Sequence, residues 1–481
     1  MSLNAVALTV ESTAGQLKTR IDNPQSVTEL ILSGTVNAED LDFIDKNMPA
    51  LETLDLSQAT VAAYNGKRLR GFSVHPAGKI PAGIFTGSQL RNIVLPVAGN
   101  VEIGDIAFAG SALENLTLNS NITAMGTGAF SNCKNLKSLT INTSAIGASA
   151  FADCTALTDV TVSCDLAIPD HAFYRCSSLA KVSGSDNITR IDASAFALCG
   201  ALKLFIFGKN LTTIGNEAFL ASGLESVNLS GCPRLESIGD WAFAHNLSLD
   251  RAALGQAREL GRGLFFDCPA LSRFTFSETA TELPDYALAK DTGIDSDAIF
   301  IYNHKVSYIG RHALSGLSNV SELTLPADLT YIGDNAMEGM LSLKTLTVAA
   351  ESVPELGEEV WKGLDQSQVD LLVFRDVADD FRNASQWQDF NIVGTDGVDD
   401  TVEDVATTTL RARFAGDILQ VEYTGINVEY FTLYELDGSA AAVAVPSEGT
   451  VSINTADMGS RIFILTAHLA DGSATSIKIA K

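Results

Sequence analysis

One repeating offset organises most of this chain. A small residue followed by an aromatic or large apolar one recurs at Phe85, Phe108, Phe130, Phe151, Phe173, Phe196, Phe219, Phe243, Phe265, Leu288, Leu314, Met337 and Trp361. These thirteen anchors span 276 residues in twelve steps, a mean period of 23. Five residues before each stands an aliphatic residue or Met, from Ile80 and Ile103 to Leu356. The next position is Gly in nine cases, Pro in three and Asp192 once. An L-x-x-L-x-L pattern lies ahead of most anchors, as in Leu113/Leu116/Leu118, Leu224/Val227/Leu229 and Val320/Leu323/Leu325. Its closing period-two alternation reads as a short strand with one buried face. The Ile-Gly or Ile-Pro that follows reads as turn chemistry, with Gly admitting a positive φ and Pro ending a ladder. The anchor ring then fills the space between strand and opposite wall. One such unit cannot bury its own apolar face, so the units must stack into a solenoid.

Strand signatures run from Val27/Leu30/Leu32 to Val369/Leu372/Phe374, about fifteen coils. At the usual strand spacing their parallel sheet extends roughly 70 Å. Of the cysteines, Cys133, Cys154, Cys176, Cys199 and Cys268 all lie three residues after an anchor, where other coils carry Ser88, Ser111, Ser222 or Leu317. That slot asks for a small or apolar side chain, so these thiols read as buried small hydrophobes rather than a metal or redox ladder. No CxxC pair is present.

The combination L-x-x-L-x-L, then I-G-x-x-A-F-x-x-C, resembles the BspA-like (Treponema-type) leucine-rich repeats. Leu202 to Phe219 and Leu224 to Phe243 display it well, Val27 to Leu56 is similar to the family's opening coils, and Phe381 to Val393, with Trp387, to its closing cap. The resemblance implies an α/β right-handed solenoid with its parallel sheet on the concave face. It also implies an exported, surface-located protein of the adhesin kind, without catalytic residues. The expected domains are an N-terminal extension over 1–14, the capped solenoid over 15–394, an acidic linker over 395–407 and a small antiparallel β-sandwich over 408–481. The linker holds Asp396, Asp399, Asp400, Glu403 and Asp404 without the ligand spacing of a known calcium loop. In the last segment, Leu419 to Tyr423, Tyr430 to Tyr434, Val451 to Ile453 and Arg461 to Leu465 alternate as strands, with turns at Asp437-Gly438 and Asp471-Gly472. This module looks like an Ig-like or sorting-type domain of exported proteins.

Composition narrows the partners. Acidic residues outnumber basic ones 58 to 32, for a formal charge of −26, which disfavours nucleic acid and anionic membrane. No run approaches the ~18 apolar residues of a membrane span. The N-terminus, Met1-Ser2-Leu3-Asn4-Ala5-Val6, carries no secretory leader, so a secreted or outer-surface location requires that one was removed. The histidines at 75, 171, 245, 304, 312 and 468 form no metal motif, and no GxSxG, phosphate loop or GxGxxG occurs. The expectation is a non-enzyme with no cofactor and no metal.

Binding remains. The outward strand positions, such as Glu114, Thr117, Lys137, Thr140, Asp159 and Thr161, are polar and of mixed sign. Leu204 and Ile206 break that pattern and are candidate anchors for a protein or glycan partner on host or bacterial surfaces, the alternative being isolated apolar surface. Between Leu56 and Leu90 the period lengthens to 34 residues and includes Lys67, Arg68 and Arg70, the most basic spot of the chain. It is a second candidate contact, or a merely solvated insertion. A second irregularity runs from Asp291 to Phe300. Against adhesion stands a structural role, with stacked coils serving as spacer and no ligand. The ring column itself is testable: Phe196→Ala should cost about 3–5 kcal/mol as a large-to-small core change, measured by urea or thermal unfolding.

Overall fold

The anchor rings form one stacked column. From Phe85 to Phe265 successive centroids lie 5.1–5.6 Å apart with planes within 22° of parallel, an offset stack of eight contacts. Every anchor from Phe85 to Met337 is at most 1% exposed. Around this column the computed structural model is a parallel β-solenoid of many turns. It divides into two units, Met1–Val398 and Asp399–Lys481. The described residues are 6–295 and 305–395 and, in the second unit, 409–415, 418–424, 428–435, 440–444, 450–455, 462–469 and 474–480.

The L-x-L strands build the first wall. Eight pair in parallel from Ala7–Ser12 to Lys181–Ser183, three from Ser226–Asn228 to Arg273–Thr275, and four from Glu322–Leu325 to Asn391–Thr395. Ala7–Ser12 pairs in register with Glu29–Val36, so the solenoid starts ahead of residue 15 and the expected N-terminal extension is its first strand. The α-helices of the described residues are Ala38–Asn47 and Ala378–Asn383, which makes the solenoid a β structure rather than α/β. Asn37 opens the first helix with a capping box closed by Asp40, and the apolar residues Leu41 and Ile44 face the core.

A second wall comes from the short x-Ile strands, such as Val101–Ile103, Thr213–Ile214 and Tyr331–Ile332. Here the glycine argument reverses. None of the nine glycines after Ile has a positive φ. They are needed for closeness: a Cβ on Gly104 would lie 2.5 Å from Ala82 N, and one on Gly261 2.3 Å from Asp240 N. The backbone of each coil rests directly on the one before.

Positive φ occurs instead around the anchor. In all thirteen coils the residues two before and two after it are left-handed, from Gly83 and Gly87 to Glu359 and Gly363. That conformation costs a non-glycine residue roughly 1–2 kcal/mol. It turns the N–H groups at those two positions, with the anchor's own, toward the following coil. Phe196 N donates to Ala218 O, flanked by Ser194 N to Asn216 O and Leu198 N to Leu220 O, all at 2.8 Å. The same three bonds recur in each of the twelve coils from Phe85 to Met337, at 2.7–3.1 Å. This turn ladder stays continuous where both strand walls are interrupted.

The cysteine slot serves the same backbone. Cys133, Cys154, Cys176, Cys199 and Cys268 each donate Sγ–H to the carbonyl of the preceding coil's anchor, at 3.2–3.4 Å. Asn246 does so through Nδ2, 2.9 Å from Phe219 O. Burial pushes the Cys176 thiol up to about 12, so this thiol stays protonated. Asp291 occupies the slot after Leu288; its Oδ1 accepts Cys268 N–H at 2.7 Å while the buried Oδ2 has no partner.

In the second unit, Thr409–Ala415, Ile418–Thr424 and Thr450–Asn454 form one antiparallel sheet. Ala440–Ala444, Val428–Glu435, Ile462–Leu469 and Ala474–Ala480 form another. Leu419, Val421 and Ile453 of the first share a core with Phe431, Leu433 and Leu465 of the second. The acidic stretch 396–407, both Asp-Gly turns and the second half of Asp291 to Phe300 lie outside the described residues.

Desolvation raises the Asp291 carboxyl well above its ordinary range. A carboxyl with a raised folded pKa favours folding below the unfolded value of about 3.9 and loses that contribution as pH rises above it. Asn supplies the slot's N–H donor without ionising. Asp291→Asn should therefore match the native chain near pH 4 and melt at a higher temperature at pH 7 to 8. Equal melting curves across that range would contradict the assignment.

Candidate partner-binding surfaces

The strand wall is interrupted at Leu202 to Phe207. Phe205 and Phe207 point inward and are 4% and 8% exposed. The Phe205 ring meets Phe196 at 5.2 Å and Phe219 at 5.0 Å, and Phe207 meets Phe219 at 5.6 Å. The next coil has Val227 and Leu229 at these positions, so here two larger rings pack against the anchor column. No strand is assigned here, and one bond, Glu225 N to Lys203 O at 2.9 Å, ties it to the next coil. The other described Phe-x-Phe coil, Arg273–Thr275, is likewise the last strand of its sheet.

Leu204 and Ile206 therefore project from a break in the wall, 61% and 59% exposed. Beside them Lys203 meets Glu225 at 2.9 Å. Further along the same wall Glu114 bridges Arg91 at 3.1 Å and Lys137 at 3.2 Å. Lys137 first, and then Arg91, hold the Glu114 carboxyl below its usual range. An apolar pair on a charge-compensated wall is a small patch with a polar rim.

The insertion folds as an antiparallel hairpin, Tyr64–Leu69 against Phe72–His75, with Arg70 and Gly71 left-handed at its tip. Arg70 is committed within the fold. It pairs with Asp42 at 3.3 Å and with Asp45, and donates to Ile84 O at 3.3 Å. Ile84 lies in the first coil of the turn ladder, whose N–H groups all point toward the C-terminus. Its carbonyls form the negative end, where a cation is favoured. Arg68 Nε donates to Gly71 O at 2.7 Å, and the Lys67 side chain is exposed. Of the basic spot expected from sequence, Arg70 is thus structural. The hairpin leaves Phe72 and Val74 each 59% exposed over a groove of ≈ 410 Å³ whose lining includes His75, Lys79, Glu102 and Met125.

Among the described residues no helix is long and apolar enough to cross a membrane, and no three His, Cys, Asp or Glu converge as a metal site.

Six copies of the BspA type leucine rich repeat region match at residues 78–167, 166–295 and 296–368, more than half of the chain. The chain belongs to this BspA-type family. A leucine-rich repeat protein from Bacteroides ovatus is similar in fold, with a TM-score of 0.53 and 17% identity over 77% of this chain and 85% of that one. A leucine rich cell surface protein from Faecalibacterium prausnitzii aligns over 59% of this chain and 86% of that chain, at 22% identity and a TM-score of 0.32. No curated protein matches in sequence.

Within this BspA-type solenoid, sequence alone brought out the exposed pair at Leu204 and Ile206, because alternation in a strand assigns faces. The Arg70 ion pairs escaped it, since their partners lie 25 and 28 residues earlier. The available signal was Asn37-x-x-Asp40, which announces a helix whose acids need a cation. Arg70→Ala should destabilise by roughly 1–3 kcal/mol, through two carboxylates left uncompensated. Lys67→Ala should stay within about 0.5 kcal/mol. Urea unfolding of both variants checks the contrast.

Proposed function

We propose that this chain is an exported, cell-surface repeat protein that acts without catalysis or cofactor, by adhesion to a protein or glycan on host or bacterial surfaces. The observation that carries the reading is the break in the strand wall at Leu202 to Phe207. There two apolar side chains stand free in a polar, ion-paired row, an arrangement that costs solvation and adds nothing to the core. Lys67 and Arg68 on the hairpin form the second contact. Membership of the BspA-type family supports surface location. The two antiparallel sheets over 408–481 support a small β-sandwich of the sorting type, joined through the acidic residues 395–407.

A spacer or coat is the second reading. The unbroken turn ladder favours it, because it holds the coils together without any ligand. Purified full-length protein passed over immobilised matrix glycoproteins, mucins and bacterial envelope fractions separates the two. Adhesion predicts saturable binding that is lost on heating and weakened about tenfold or more by Leu204→Glu or Ile206→Glu. Lys67→Ala with Arg68→Ala should weaken it mainly at low salt. Absence of saturable binding to all three surfaces would favour the spacer.

A further inference from the structure

The wall that carries the turn ladder holds a patch that neither the repeat nor the proposed contact uses. Two residues before the anchor the backbone is left-handed in every coil, a conformation that Gly83, Gly128 and Gly263 adopt freely. Ser149 and Ser194 are small residues at the same position. Ile106, His171 and Glu217 stand there in other coils, and three later coils bring aromatic rings together at it: Trp241 (φ 56°), Tyr286 (φ 58°) and His312 (φ 52°). Bulky side chains are rare in this conformation. All three are half-buried, so the core gains little from them.

Gly263, between Trp241 and Tyr286, makes the arrangement possible. A Cβ at Gly263 would sit 2.2 Å from the six-membered ring of Trp241, so the indole lies against glycine backbone. The Trp241 and Tyr286 centroids are 6.1 Å apart, Tyr286 stacks on His312 at 5.0 Å, and Phe266 meets Trp241 edge-on at 5.3 Å. Lys290 Nζ lies 4.9 Å over Phe266, and the Arg311 guanidinium 5.4 Å from the Tyr286 centroid.

The rim is polar and of mixed sign. Arg262 pairs with Asp240 at 3.0 Å, His245 with Asp267 at 3.0 Å and His312 with Glu338 at 3.5 Å, while Asp285 accepts the Arg311 N–H at 2.7 Å. A rim of mixed sign gives an ion little net field to follow, and a chain of charge −26 repels polyanions. Aromatic faces bordered by both donors and acceptors complement a sugar ring. Its C–H face packs on the aromatic system, and its hydroxyls each donate and accept. A protein hot spot wants a dry pocket around its aromatics, whereas these rings stand on an open wall with charged neighbours.

We propose that Trp241, Phe266, Tyr286 and His312 form a platform for a neutral oligosaccharide chain. The platform lies on the turn-ladder wall and Leu204 and Ile206 on the strand wall, so the two contacts stand or fall separately.

Tryptophan emission reads this site selectively, because Trp361 and Trp387 are 3% and 1% exposed. Full-length protein would be titrated with cello-, xylo-, manno- and chito-oligosaccharides, with heparin as the polyanion, following emission and heat. At least one neutral sugar should give a saturable change. Trp241→Ala and Tyr286→Ala should weaken binding about tenfold or more, while Trp241→Phe, read by heat, stays near native and Ile206→Glu has no effect. No binding by any neutral sugar, binding of heparin in their place, or sugar binding that Trp241→Ala leaves intact would each overturn the proposal. Native-like melting of Trp241→Ala is expected; a large loss of stability with no sugar bound by the native chain would make the cluster structural.

Discussion

The constraint on which this molecule depends is the directionality of the turn ladder. Around each anchor three N–H groups reach the next coil, and their carbonyl partners belong to residues one position earlier in that coil's own turn. A chain of L-residues can present N–H groups this way only with left-handed backbone two residues either side of the anchor. The anchor side chain is then driven inward, onto the ring before it. Bond ladder and ring column are one device, since the step that sets the hydrogen bonds at 2.7–3.1 Å also sets ring centroids 5.1–5.6 Å apart in the Phe column. The strand walls follow this spacing and do not create it, which is why they can be interrupted at Leu202 to Phe207 without the coils separating.

What was legible in sequence follows from this division. The anchors, the apolar residues five before them and the small slot three after them are packing requirements, and packing selects side chains. The ladder is a backbone requirement, and its signature is weak. Gly fits a left-handed position best, but Arg175, Leu198 and Trp241 occupy it too. The conformation is imposed by three bonds and a buried ring rather than chosen locally. The same blindness misled the reading of Ile-Gly, where glycine is required for the approach of two backbones and not for its φ. The slot was read as small or apolar, which the buried cysteines fit and the polar Asn246 and Asp291 do not. Its role as a donor to the anchor carbonyl shows in Cys176 and Asn246, which occupy equivalent places and bond Phe151 O and Phe219 O.

Candidate contacts were partly legible for a related reason. Alternation along a strand states which side chains face out, so Leu204 and Ile206 could be named. It does not state that the inward residues Phe205 and Phe207 pack as rings on the anchors Phe196 and Phe219. Arg70 shows the converse. A basic cluster in an acidic chain suggests a partner, yet the partner here is internal, the acids of the first helix and a carbonyl at the negative end of the ladder.

A solenoid of this kind separates stability from recognition more cleanly than a compact domain does. Side chains at the anchor and the slot after it are tied to the coils on either side, so a change there propagates along the column. Outward positions on either wall touch few residues beyond adjacent coils and are free to vary at small cost. The aromatic residues at Trp241, Tyr286 and His312 occupy outward positions of the ladder wall itself, where the backbone is already fixed left-handed by three bonds per coil. Their side chains are thus held by a rigid frame before any partner arrives, and little rotational freedom is left to lose on contact. The wall that makes the coils cohere is for that reason also a well-ordered surface on which to display a binding group.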